Sequence, residues 1–96
     1  MRSKAEEHLP GGKMIRIKVE HGDFIDKIEI SGDFSVNPSD AIHEIERCLI
    51  DVEVESAEQG IADLIYDTLA GHHATLEGAS ASDIARVVKK ALIVRK

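Results

Sequence analysis

Five histidines, a single cysteine and one Gly-Gly-Lys triplet are the residues of this 96-residue chain whose types and spacing could support chemistry. His72 and His73 are adjacent, and neighbouring loop histidines can ligate a metal ion. No cysteine lies near them and no His-x-x-x-His spacing completes a ligand set, so they read as ordinary loop residues. His43 falls beside the polar stripe of a helix and His21 in a turn, both solvated positions rather than catalytic ones. Cys48 lies near the C-terminal end of a helix, next to its apolar stripe, where a free thiol behaves as a small hydrophobe. An activated thiolate would sit at a helix N-terminus or among cations, and Arg47 is the lone basic neighbour. Gly11-Gly12-Lys13 has part of a phosphate-loop pattern. The first glycine of that pattern is missing and a strand follows instead of a helix, so spacing alone favours a strand start with a solvated lysine. Backbone amides and one lysine can still meet an anion or a partner's carboxylate.

The Gly-Gly-Lys triplet and His21 are positioned by a hairpin. Ile15, Ile17 and Val19 alternate with Met14, Arg16, Lys18 and Glu20, the period-two pattern of a half-buried strand. His21-Gly22-Asp23 is the expected turn, with Gly22 supplying a positive φ. Ile28, Ile30 and Phe34 continue on one face, opposite Lys27, Glu29 and Ser31. Ile25 is out of parity with Ile28, which predicts a β-bulge at Asp26-Lys27. In the alternative, Phe24 fills the core position and Ile25 lies partly exposed.

Residues 1–10 read as a lead-in ended by Pro10 and two glycines. Beyond the hairpin, Asn37 and Pro38 predict a helix start, with Ile42, Ile45 and Leu49 as its stripe. Asp51 to Glu55 alternates and is expected to be a link rather than a strand of Val52 and Val54. Ser56 and Gln59 suggest a capping box for a second helix, which presents Ile61, Leu64, Ile65 and Leu69 and stops at Gly71. A loop over 71–79 is anchored by Leu76. Ser80 and Asp83 open a third helix, with Ile84, Val87, Val88, Ala91 and Leu92 on one face. The expected order is β-β-α-α-α, a two-layer α+β domain with a hairpin sheet packed by three helices.

Ile, Val, Leu and Phe supply 27 of the 96 residues, and there is no tryptophan, so an aliphatic core is expected. No run reaches membrane-spanning length, MRSKAEEHLP lacks the apolar segment of a signal peptide, and one cysteine suits a reducing compartment. A cytoplasmic domain is expected. The net charge of −6 is unevenly spread. Arg2, Lys4, Lys13, Arg16 and Lys18 cluster at the start, and Arg86, Lys89, Lys90, Arg95 and Lys96 at the end. If the chain ends meet, they would form a basic patch on an acidic body; Lys89 and Lys90 also complement a helix C-terminus. Acidic balance without aromatic platforms argues against nucleic acid.

The stretch Gly11 to Phe34, GGKMIRIKVEHGDFIDKIEISGDF, with Asn37-Pro38, the helix of Ile42-Glu44-Ile45-Glu46 and the closing Ser82-Asp83-Ile84, resembles the accessory domain of lipoate–protein ligases. The resemblance spans roughly residues 10 to 93, and its most specific parts are Gly11-Gly12-Lys13 and Ser31-Gly32-Asp33-Phe34. Ser35-Val36 departs from it, since a second bulky apolar residue is common after the phenylalanine.

The resemblance implies a single accessory domain over 11–96 with an iron–sulfur-scaffold-like fold. It implies a non-catalytic small subunit, paired as a heterodimer with a catalytic subunit that converts ATP and lipoate to lipoyl-AMP. ATP, Mg and lipoate would bind that partner and none of them this chain alone. The lipoyl domains of 2-oxoacid dehydrogenases and the glycine-cleavage H protein would be the downstream acceptors. The expected partner-facing residues are Gly11, Gly12, Lys13, Met14, Arg16, Lys18, Gly32, Asp33 and Phe34. The competing reading is a stand-alone binding or regulatory domain of scaffold-like fold. A cluster-holding scaffold is rejected, because one cysteine cannot hold a cluster.

Overall fold

The computed structural model describes residues 1–92. The order is β1 (Arg2–His8), β2 (Met14–His21), β3 (Ile25–Gly32), β4 (Ser35–Asn37), α1 (Ala41–Cys48), α2 (Glu58–Gly71), β5 (Thr75–Glu77) and α3 (Ala81–Ala91). β1, β2 and β3 form an antiparallel sheet in that order, and β4 and β5 form a separate antiparallel ribbon. Helix α3 packs on β1 and β2, α1 packs on β3, and α2 packs on both other helices. The expected α+β class holds, with three more strands than the β-β-α-α-α order.

The central hairpin follows its alternation. Ile15, Ile17 and Val19 point into the helices, while Arg16 and Lys18 face solvent on the opposite, outer face. Ile25 and Ile28 are both buried because the β2–β3 register shifts between Glu20 and His21, leaving Asp26 as the extra residue. That is the predicted bulge, and Phe24 is 47% exposed. The fully enclosed isoleucines, Ile15, Ile17, Ile25, Ile45, Ile61, Ile65 and Ile84, contribute about 1.5–3 kcal/mol each.

Several expectations need correction. Residues 1–10 are not a loose lead-in. Arg2–His8 pairs with the whole of β2, from Arg2↔Glu20 to His8↔Met14, and Leu9 is buried. Gly22 is not among the positive-φ residues; those glycines are Gly11, Gly12, Gly32 and Gly78. The turn instead closes by Gly22 N–H donating to the Phe24 carbonyl at 3.1 Å. His21 is not solvated but 2% exposed, with Nδ1 2.9 Å from the Gly22 carbonyl oxygen. Asn37 is not an N-cap, because its backbone is paired in β4, and α1 is preceded by Asp40. Ser56 does not cap α2, which begins after Ala57 without a side-chain cap. Leu64 is 40% exposed, and Ala62 takes the inward position. Gly71 is the last residue of α2, and His73 rather than the glycine adopts the left-handed conformation (φ 53°).

The 51–55 segment is a link, as expected. It runs beside the start of β3, with Ile25 N–H donating to the Val52 carbonyl and Asp51 N–H to the Ile25 carbonyl. Farther along the same edge, Glu46 Oε2 accepts from Ile30 N–H at 2.7 Å. Ser80 and Asp83 open α3 as expected, and they do so as a reciprocal capping box. Arg95 and Lys96 lie outside the described residues. The first strand and the last helix do meet. Arg86 Nε donates to Glu7 Oε2 at 2.8 Å and Lys90 Nζ to Glu7 Oε1 at 2.9 Å, so an acid sits between the cations expected to form an open patch.

Candidate functional site

The β1–β2 turn depends on glycine. Leu9 N–H donates to the Lys13 carbonyl at 2.6 Å and Gly12 N–H to the Leu9 carbonyl at 3.1 Å. Gly11 and Gly12 have φ of +91° and +85°, conformations that residues with a Cβ adopt only at a cost. This turn carries exposed Lys13 to one end of the sheet. There Ile15 pairs with Gly32, and Asp33 N–H donates to the Met14 carbonyl at 2.9 Å. A Cβ at Gly32 (φ +154°) would overlap that same carbonyl oxygen, so only glycine lets β3 leave the sheet this closely.

The β4–β5 ribbon completes the end. Gly78 follows β5, and a Cβ there would lie 3.5 Å from Phe34 Cα and 3.6 Å from Lys13 Cδ and Cε. The lysine stem therefore lies along Gly78 beside Phe34. Next to it, Gly32, Phe34, Val36, Ile42 and neighbouring serines line a shallow cleft of about 360 Å³. Lys13 and Asp33 make no ion pair among the described residues.

The structure thus gathers Gly11 to Met14 and Gly32 to Phe34, separated in sequence by a full hairpin. Arg16 and Lys18 lie farther along the outer face with half-buried Met14, opposite Ser31 and Glu29 in β3. Arg16 is bound by Glu6, Nε to Oε1 2.9 Å. Gly78, Val36 and Ile42 were not anticipated at this end. Three-residue strands carry too little alternation to be read, although Gly78 was visible as a loop glycine.

The other candidate groups lie elsewhere. Burial raises the Cys48 thiol above its usual pKa, against a weaker opposing hydrogen bond with Thr68, and Sγ donates to the Ile45 carbonyl at 3.0 Å. That keeps the thiol protonated. His72 and His73 are exposed, and His72 Nε2 lies 3.7 Å from Glu44 Oε2. Among the described residues, no three His, Cys, Asp or Glu side chains group so as to hold a metal ion. None of the described helices is long and apolar enough to cross a membrane. The end of the sheet brings together a cation on a hydrogen-bonded turn, an acid and a cleft lined by apolar residues and serines.

These features define a small α+β module. The chain is similar in structure to a chain of an archaeal lipoylation system from Thermoplasma acidophilum, described as a bipartite lipoate protein ligase and its E2 lipoyl domain. The TM-score is 0.74 at 25% identity, over 92% of this chain and 94% of that chain. The resemblance to a bipartite lipoate–protein ligase therefore holds in three dimensions. No family model and no curated protein sequence matches the chain.

Proposed function

We propose that this chain is the non-catalytic accessory subunit of a two-component lipoate–protein ligase. It would act in the cytoplasm with a catalytic subunit in the ATP-dependent activation of lipoate to lipoyl-AMP. The observation that carries this reading is the near end-to-end match to a chain of a bipartite ligase system. ATP, Mg and lipoate bind the catalytic subunit in this reading, and the lipoyl-acceptor domains are met through that subunit. The end of the sheet at Lys13, Gly32 and Phe34 is the docking surface. Contact there favours the activation-competent arrangement of the partner's ligand-site loops, a population shift whose size equals the difference in contact energy between the two arrangements. Arg16 and Lys18 steer the encounter.

The test is lipoyl-AMP formation from ATP and lipoate by a cognate catalytic subunit, with and without this chain. Activity that requires both chains, and falls with Lys13→Ala, is the expected result. Full activity without this chain, together with no complex on a sizing column, would overturn the reading and leave a stand-alone binding domain.

A further inference from the structure

The sheet has two edges, and they differ. The β3 edge is occupied at Ile25 by Val52 and Asp51 and at Ile30 by the Glu46 carboxylate. Strand β1 hydrogen-bonds with β2 on one side only. Among the described residues its other side makes no backbone hydrogen bond, and α3 touches β1 from the helix side of the sheet. Seven residues of regular strand, without proline or bulge, therefore offer unpaired N–H and C=O groups, the template on which another strand adds.

We infer that the β1 edge pairs antiparallel with β1 of a second copy of this chain, about a two-fold axis at Ala5, to give a continuous six-stranded sheet. The side chains select this occupant. Centred on Ala5, the pairing sets Lys4 opposite Glu6 of the second copy and Glu6 opposite its Lys4. It also sets Arg2 opposite His8, and Ser3 opposite Glu7. Sliding by one residue would turn the outer face of one copy toward the helix side of the other. Sliding by two would place Lys4 against Lys4, or Glu6 against Glu6. Among registers that keep the outer faces of both copies on one side, only the Ala5 register has no like-charge pair.

Within one copy Lys4 faces Lys18, like charges directly opposite, an unfavourable cross-strand pair. Lys4 has no ion-pair partner among the described residues. The second copy supplies the missing acid. Glu6, already bound to Arg16, then bridges Arg16 and the incoming lysine. Glu7 needs nothing from the second copy, since Arg86 and Lys90 hold it from the helix side. Lysine on an edge strand ordinarily discourages pairing; here its acid counterpart two residues on makes it a register marker.

The test is sedimentation equilibrium over a concentration series for the full chain, for Lys4→Glu and for Glu6→Lys, with circular dichroism confirming that all three are folded. The wild-type chain should shift toward the mass of two copies as concentration rises. Each variant alone should dimerise about tenfold more weakly, because both cross-strand pairs become repulsive. An equimolar mixture should regain the wild-type affinity, since the new acid at position 4 of one chain faces the new lysine at position 6 of the other. A wild-type chain that stays monomeric at all concentrations would overturn the inference and leave the edge to a strand of another protein. So would variants that dimerise as the wild type does, or a mixture that does not recover.

Discussion

Gly32 shows how one missing side chain organises the candidate site. Gly32 pairs with Ile15 at the end of the β2–β3 register, and the next residue, Asp33, donates to the Met14 carbonyl. A methyl group would meet that carbonyl oxygen and also come within 3.0 Å of the Phe34 ring. Gly32→Ala is therefore expected to cost at least about 2 kcal/mol, combining an unfavourable φ with a backbone clash. Gly11→Ala, where a Cβ meets nothing within 4 Å, should cost only about 1–2 kcal/mol from φ. Urea denaturation of both variants checks the difference. Equal losses would mean that the close approach of Gly32 to Met14 is not what holds β3 at this end.

At the scale of elements, the residues that read true are those whose partners are local. Ser80 and Asp83 cap α3 with each other, and the buried face of α3 follows from spacing alone. Ile25 and Ile28 betrayed their bulge because both had to reach the same core. Asn37 and Ser56 have equally good capping chemistry but were claimed by other structure. Asn37 belongs to a ribbon whose second strand lies far along the chain, and Ser56 N–H donates to the Glu53 carbonyl within the link. Strand β1 was illegible for a related reason. RSKAEEH has one apolar residue, Ala5, because an edge strand buries little apolar surface against α3 and Glu7 is satisfied by cations of that helix. The candidate site was half legible. Its two glycine-bearing segments stood out, while their meeting with Gly78 depends on the ribbon. Ser80→Ala should lower stability by about 1 kcal/mol and Ser56→Ala by less than about 0.5 kcal/mol, measured by thermal unfolding. Equal effects would contradict the assigned caps.

The whole molecule is closed by charge as well as by its aliphatic core. Glu7 in the first strand binds Arg86 and Lys90 in the last helix, which joins residues 79 and 83 positions apart. The hydrogen bond from Arg86, then that from Lys90, holds the Glu7 carboxyl at about 2, below its usual 4.5, and Arg86 is in turn held more firmly protonated by Glu7. The sign of the linkage follows. A carboxyl whose pKa is lower folded than unfolded contributes stability that is complete above 4.5 and is lost as pH falls toward 2. Glu7→Gln keeps the shape but removes that titration. At neutral pH it should cost about 1–2 kcal/mol, as expected for charge-assisted bonds that are partly exposed. Below about pH 2 the variant and the wild type should converge. Unfolding curves at a series of pH values, followed by far-ultraviolet circular dichroism because the chain has no tryptophan, would show a steeper acid-side decline for the wild type. Parallel declines would mean that Glu7 does not couple the two ends of the chain, and that packing of α3 on β1 and β2 alone joins them.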